Sequence, residues 1–241
     1  MNILFYTILF VIGIVIGSFW AVESSKMPKS LDLKKVHYSK HNHEDAVSKI
    51  TYIFLGGVMS VLLANILDIH IDEFDITKII IYFFSMLYIS TLVLIGGIDR
   101  VYTKIEKRVL SFGIVSSIMY MIYLSLIDLA SLRLSAIYLA IYIILLMIDT
   151  FLLRRFAKDS YIVNILMLLT IILAFTDLRT LTYTIIMAFF GIIMFMFMQK
   201  QQKNKNGNKK LKINEISVGY FIAASKVMIL FMIRIFENYY I

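Results

Sequence analysis

Five ionisable side chains lie inside or at the edge of long apolar stretches, where a charge is costly and marks a candidate functional site. They are Asp99, Asp149, Asp159, Lys226 and Arg234. Asp99 ends the apolar segment LIGGI, and Asp159 comes just before the segment YIVNIL. Two carboxyl groups held close together cannot both ionise cheaply, so one serves as a general base and the other as a general acid. Asp99 and Asp159 are therefore candidates for the catalytic pair of an aspartic protease.

Each of these two aspartates also has a structural interpretation. Asp159 and Ser160 stand directly before an apolar run, where either residue is a good helix N-cap. Asp99 borders a basic segment and could pair with Arg100 or Lys104. On residue chemistry alone the structural interpretation is favoured for each aspartate, and the catalytic one stays open beside it.

The other ionisable groups in the apolar stretches are interpreted as structural. Asp149 lies about a turn and a half before Arg154 and Arg155, which favours an ion pair or a helix-end charge over a third acid. Lys226 falls near the middle of the last apolar stretch, where a lysine needs a partner or a wet cavity. A structural pair is favoured there over a catalytic lysine.

Other kinds of site are excluded or disfavoured. The segment VHYSKHNHED contains His37, His41, His43, Glu44 and Asp45. Zinc binding is the alternative there, but the helical zinc-protease signature needs a second histidine where Val47 stands, so a solvated loop is favoured. The chain has no cysteine, which excludes disulfides, thiolate metal sites and a cysteine nucleophile. No phosphate-binding or dinucleotide-binding motif is present.

The elements that must position these residues are membrane helices. Of the 241 residues, 60% are hydrophobic and 17% are charged, against about 45–50% and 25% in an average soluble domain. Mean hydropathy is +0.84, which excludes a soluble globular protein and a disordered chain.

A helix needs about 20 apolar residues to cross a bilayer. About eight such stretches occur, at Ile3–Trp20, Thr51–Leu67, Ile79–Ile98, Val109–Ile127, Leu134–Leu153, Tyr161–Thr176, Leu181–Met198 and Ser217–Phe236. We therefore expect an all-α integral membrane protein, a bundle of about eight transmembrane helices forming one polytopic domain over residues 1–241.

Charges in the connecting segments alternate along the chain. Lysine and arginine concentrate in residues 21–50, 99–108, 154–160 and 199–216, whereas the intervening segments are mainly acidic. The positive-inside rule places these basic segments in the cytoplasm and both termini outside the plasma or inner membrane. The Lys/Asn-rich segment Gln199–Glu215 is interpreted as a flexible tether near anionic lipid. It has no interleaved aromatic residues, so nucleic-acid binding is not expected.

The order of motifs resembles the type IV prepilin peptidases, which are GxGD-type intramembrane aspartic proteases. IGSFWAVESSKMPKS is similar to the family's Gly-Ser-Phe-x-x-Val … Pro stretch through Gly17, Ser18, Phe19, Val22 and Pro28. GGIDRVYTKIEKRV resembles the first catalytic motif, with Asp99. FAKDSYIV lies where the second belongs, with Asp159. KINEISVGYFIAASKVMIL resembles the start of the family's last helix through Ile216, Gly219, Phe221 and Ala223.

The chain departs from the family pattern at several positions. Phe156, Ala157 and Lys158 replace Gly-x-Gly before the second aspartate, Tyr161 replaces the usual lysine, and Glu106 replaces a proline. Bifunctional members carry paired CxxC motifs and also methylate their product. Because this chain has no cysteine, that second activity is not expected.

The resemblance implies Asp99 and Asp159 as catalytic residues and a prepilin-like membrane protein as substrate, with membrane lipid around the site. It implies no metal and no cofactor. Three hypotheses follow: a cleavage-only prepilin peptidase, a catalytically degenerate relative that assists pilus, secretion or competence assembly, and an unrelated transporter with Asp149 and Lys226 on its path.

Overall fold

The protein is all-helical wherever the structure describes it. A computed structural model describes residues 2–26, 44–69, 75–102, 104–127, 140–144, 147–148, 151, 160–176, 178–206 and 216–240. The long helices in these ranges are α1 (Asn2–Lys26), α2 (Glu44–Ile66), α3 (Ile76–Tyr102), α4 (Lys107–Ile127), α5 (Ser160–Ala174), α6 (Leu178–Asn206) and α7 (Val218–Tyr240). No strand occurs within the same ranges.

Five of the described helices are long and apolar enough to cross a membrane. Their apolar spans are Ile3–Ser24, Lys49–Ile66, Ile76–Arg100, Lys107–Leu124 and Arg179–Met198, and two shorter apolar helices cover Tyr161–Ala174 and Val218–Met232. Large apolar side chains point outward along them, among them Ile3, Phe54 and Phe189. Such surfaces are unfavourable in water and normal against lipid. The prediction of a helical membrane protein therefore agrees with the fold.

The described helices match seven of the eight predicted stretches and are longer than predicted at several ends. The remaining stretch, Leu134–Leu153, lies largely outside the described residues. Helix α1 continues to Lys26 and α2 begins at Glu44, so both extend into the predicted first loop. Helix α6 continues to Asn206, through half of the predicted tether. Glutamine and lysine are good helix formers, and the first helix breaker in that segment is Gly207.

The chain divides into two compact units, residues 1–94 and 95–240. In the first unit α1 and α2 approach closely because glycines face each other. A Cβ atom at Gly56 would lie 2.7 Å from the Cα of Gly17, and one at Gly13 would lie 2.6 Å from the Cβ of Ser60. Small residues four apart, such as Gly13 and Gly17, are a common way for membrane helices to make this contact.

A buried hydrogen-bond chain adds α3 to the same unit. The Ser60 hydroxyl donates to the carbonyl of Leu9 at 2.6 Å. Its oxygen also lies 2.6 Å from the hydroxyl of Tyr82. Since the single proton of Ser60 is used on the carbonyl, Tyr82 is the donor in the second bond. These two bonds pair the hydroxyls of Ser60 and Tyr82 in the interior of this unit.

The second unit contains the end of α3 and helices α4 to α7. Tyr120 on α4 stacks on Phe175 with ring centroids 4.6 Å apart. Phe221 on α7 packs against α6, with its ring 5.6 Å from that of Phe195. Gly191 on α6 leaves room for Phe221, because a Cβ atom there would lie 3.0 Å from its ring. These contacts join α4 to the residue that follows α5, and α6 to α7.

Candidate active site

Asp99 lies in the last turn of α3 and is fully buried. Gly96, one turn earlier, faces α7, since a Cβ atom there would lie 3.3 Å from the Cβ of Ala223. The small residues at this crossing bring the α3 backbone close to α7. Asp99 is three residues farther along, on the same side of α3. Its carboxyl group therefore meets the beginning of α7.

The beginning of α7 donates backbone hydrogen bonds to this cluster. The first N–H groups of a helix have no partner within the helix, and a carboxyl group is a favourable acceptor for them. The amide of Tyr220, the third residue of α7, donates to Oδ2 of Asp99 at 2.9 Å. The amide of Gly219 donates to the hydroxyl oxygen of Tyr161 at 3.4 Å. Asp99 thus acts as the N-cap of α7 from another helix.

Tyr161, in the first turn of α5, is the other partner of Asp99. Its hydroxyl oxygen lies 2.9 Å from Oδ1 and 2.9 Å from Oδ2. A phenol has one proton, so the hydroxyl donates a bond shared between the two oxygens. The contact joins the beginning of α5 to the end of α3. The two-carboxylate hypothesis requires that juxtaposition.

The short connection between α3 and α4 closes over the same cluster. Ile105 is 4% exposed, and its Cδ1 would lie 3.0 Å from a Cβ atom at Gly219. The backbone carbonyl of Ile105 accepts a hydrogen bond from Nδ2 of Asn164 at 3.2 Å. Asn164 lies one turn after Tyr161 on α5. One helix therefore contacts both Asp99 and the connection that covers it.

The structural alternative of an ion pair for Asp99 is not seen among its described contacts. All of its described hydrogen-bond donors are neutral groups. The guanidinium of Arg100 lies over the ring of Tyr220, 5.7 Å from the ring centre. Lys104 is exposed. The described interaction that explains Asp99 structurally is the capping of α7.

The second predicted catalytic residue, Asp159, lies outside the described residues, as do Asp149 and the three histidines of the first loop. Helix α5 begins at Ser160, and the capping role of Asp159 stays a prediction. Lys226 lies in α7 and is fully buried. Arg234 is also in α7, but its side chain is not among those described. In the described part of the chain no cluster of three or more histidine, aspartate or glutamate residues could hold a metal ion.

Comparison with models of protein families, with curated proteins and with solved structures found no match. The site is therefore interpreted from its own geometry.

Two residues of this cluster were not singled out as site residues by the sequence. Tyr161 enters the family resemblance only as the replacement of a lysine, and Asn164 lies outside its motifs. Both could have been found from spacing. Tyr161 and Asn164 are three residues apart at the beginning of an apolar helix, which puts them on one face. Gly219, in contrast, was included in the resemblance.

Proposed function

We propose that the protein is an intramembrane aspartic endopeptidase that removes the leader of prepilin-like membrane proteins. Asp99 and Asp159 are its catalytic pair. The supporting observation is the bond between Tyr161 and Asp99. Asp159 precedes Tyr161 by two residues, and two residues of chain span at most about 7 Å in any conformation. The bond brings the beginning of α5, the helix that follows Asp159 in the sequence, to the carboxyl group of Asp99.

The chemistry follows from pairing two carboxyl groups. The ionised member takes a proton from a water molecule, which attacks the peptide carbonyl. The protonated member polarises that carbonyl and then protonates the leaving amine. This cleavage requires no metal and no cofactor. Because the chain has no cysteine, the proposal does not include methylation of the product.

The substrate has a short basic leader, a cleavage site at the membrane face and then a hydrophobic helix. The proposal places the site at the cytoplasmic face, with eight transmembrane helices and both termini outside, as the distribution of lysine and arginine predicts. The basic residues Lys104, Lys107 and Arg108 border the site. They are suited to lipid headgroups or to an acidic residue of the mature protein, and not to a basic leader.

Burial of Asp99 adds a requirement to the mechanism. The residue is 0% exposed, so neither water nor peptide reaches its carboxyl group in this conformation. The Ile105 side chain that covers Asp99 belongs to the non-helical residues 104–106, and not to one of the long helices. Catalysis therefore includes a step in which this connection opens.

A second candidate function is a catalytically degenerate relative that acts as an assembly partner of a pilus, secretion or competence machine. One observation favours it. Asp99 is buried and caps α7 through Tyr220, and this role alone explains why an aspartate stands there. Tyr161 stands where the resembled family has lysine, and its hydroxyl bonds to both oxygens of the carboxyl group.

A cleavage assay distinguishes the two candidates. The full chain is co-expressed with each prepilin-like protein of the same genome, and loss of the leader is followed by mass spectrometry. Asp99→Asn and Asp159→Asn are compared with the parent. Asparagine keeps much of the shape and capping ability but cannot act as a general base.

Asp75→Asn is the matched control. Asp75 accepts a hydrogen bond from the amide of Thr77 at 2.8 Å and so caps α3, and asparagine is an equally good cap. The proposal expects cleavage by the parent and by the control, and none by the two site variants at equal expression. Cleavage that survives both site variants would show that the pair is assigned wrongly. A parent that cleaves none of the candidates would favour the assembly-partner function.

A further inference from the structure

Asn164 carries a buried hydrogen-bond acceptor that no described residue uses. The residue is 6% exposed, and its Nδ2 donates to the carbonyl of Ile105 at 3.2 Å. Among the described residues no donor reaches its Oδ1. Leaving such a group unsatisfied costs free energy, and nearly all buried acceptors in proteins are paired. A buried acceptor without a described partner, next to a candidate site, therefore indicates that a ligand binds there.

The identity of the unused atom follows from its neighbour. The carbonyl of Ile105 can only accept a hydrogen bond, so the nitrogen of the carboxamide must face it. Turning the carboxamide over would bring two oxygens together. The bond to Ile105 thus fixes the orientation of Asn164 and leaves Oδ1 as an acceptor directed elsewhere.

The position of Asn164 connects it to the carboxyl group of Asp99. It lies three residues after Tyr161 on α5, which puts the two side chains on one helix face. Tyr161 donates to Asp99, while Asn164 holds the Ile105 connection that covers Asp99. A group bound at Oδ1 would therefore lie beside the peptide that the pair cleaves.

The ligand of Oδ1 must be a hydrogen-bond donor, and the substrate peptide has such donors in its backbone N–H groups. Within a helix each backbone N–H is already bonded to a carbonyl four residues earlier. Only an extended segment offers a free N–H, and the scissile carbonyl must also be freed from helical bonding before it is attacked. We propose that Oδ1 of Asn164 binds a backbone N–H of the extended substrate segment next to the scissile bond. This inference rests on the proposed peptidase function and assigns Asn164 as a substrate-binding residue.

The test removes the Asn164 acceptor and a backbone N–H of the substrate, first separately and then together. The substrate is a synthetic peptide with a basic leader, the cleavage position and the first turns of the hydrophobic helix of a prepilin-like protein that the parent cleaves. Amide bonds near the cleavage position are replaced by esters, one at a time, which removes a single N–H with little change in shape. Each peptide is offered to the parent and to Asn164→Leu, in the full-length protein in detergent.

One ester position is expected to lower kcat/KM of the parent by about fivefold, the size of one hydrogen bond. At that position the ester is expected to have no effect on Asn164→Leu, because the acceptor is already gone. This non-additivity separates direct binding from a structural role. If Asn164 only holds the Ile105 connection or binds water, every ester lowers the rate of parent and variant by equal factors, and the inference is overturned.

Thr170→Val is the matched control on the same helix. Thr170 donates its hydroxyl to the carbonyl of Leu166 within α5, and the variant should respond to each ester as the parent does. If Asn164→Leu does not fold, Asn164→Ala is used in the same cycle, since it also lacks the acceptor. A parent that cleaves no candidate peptide would overturn the proposed function together with this inference. Cleavage with additive effects would overturn the inference alone.

Discussion

Oδ2 of Asp99 lies so close to Gly219 that a Cβ atom on that glycine would be 3.0 Å from it. The same Cβ atom would be 3.0 Å from Cδ1 of Ile105. Because the side chain of Gly219 is only a hydrogen atom, the buried carboxyl group of Asp99 can reach the first amides of α7. The glycine is needed for space, not for an unusual backbone conformation.

Gly219→Ala is expected to displace Asp99 by a few tenths of an ångström and to lower the free energy of unfolding by about 1–3 kcal/mol, as overpacking does. Thermal unfolding in detergent measures the change. Gly191→Ala is the control, because its new Cβ atom meets the ring of Phe221 at 3.0 Å, and a ring can turn aside. Equal effects of the two substitutions would show that the carboxyl group does not limit the space at Gly219.

Tyr161→Phe removes the shared hydrogen bond to Asp99 and the hydroxyl oxygen that accepts from the Gly219 amide. We expect a loss of about 1–3 kcal/mol in the free energy of unfolding, because the remaining groups stay buried. Tyr183→Phe is the control. The Tyr183 hydroxyl accepts from Nε of Arg179 at 3.0 Å on an exposed surface, so its removal should cost almost nothing. A stable Tyr161→Phe protein would contradict the described network.

Asp99→Asn and Asp99→Leu should differ in stability although both abolish cleavage under the proposed function. Asparagine keeps one acceptor for the Tyr220 amide, and its NH₂ group can donate to the hydroxyl oxygen of Tyr161. Leucine removes the acceptor of both the Tyr220 amide and the Tyr161 hydroxyl, which costs about 1–3 kcal/mol for each. Unfolding temperatures of the two variants test this order. The reverse order would mean that Asp99 does not cap α7.

Gly56→Ala should separate α1 from α2 or displace one against the other. Its Cβ atom would meet the backbone of Gly17 at 2.7 Å, and a backbone cannot rotate away. Gly57→Ala is the control on the same helix, since its Cβ atom would meet the ring of Phe10 at 2.6 Å, which is free to turn. We expect the larger fall in unfolding temperature for Gly56→Ala, of the order of several degrees. A smaller fall than that of the control would argue against this helix contact.

The predicted orientation in the membrane is tested with single cysteines. The parent has no cysteine, so a single cysteine can be introduced without first removing others. Lys78→Cys precedes the third predicted stretch on the outer side, and Lys104→Cys follows it on the cytoplasmic side. An impermeant maleimide should label Lys78→Cys in intact cells and Lys104→Cys only after permeabilisation. The opposite labelling would reverse the topology.

The apolar stretches predicted the helices because the bilayer length and the cost of an unpaired backbone leave few other structures. Their ends were harder to place. Residues that continue a helix beyond the lipid, such as Gln201 and Lys203 in α6, are polar but favour helix. A hydropathy pattern therefore ends before the helix does.

The candidate site was predicted in part. The position of Asp99 at the end of a membrane helix was expected, whereas its contact with α7 and the bonds of Tyr161 and Asn164 were not. Hydrogen bonds between side chains of different helices depend on helix rotation, which apolar periodicity does not determine when a helix is apolar all round. That the carboxyl groups of Asp159 and Asp99 lie close together stays a prediction.

The cap that Asp99 provides for α7 joins residues 121 apart in the chain. At about 5–20 residues per second of synthesis, the α7 amide is made roughly 6 to 24 s after the carboxyl group. During that interval the carboxyl group at the end of α3 has no α7 amide to bind. Insertion of this protein should therefore be sensitive to the speed at which its second half is translated, and a chain truncated before α7 should be a preferred target for membrane quality control.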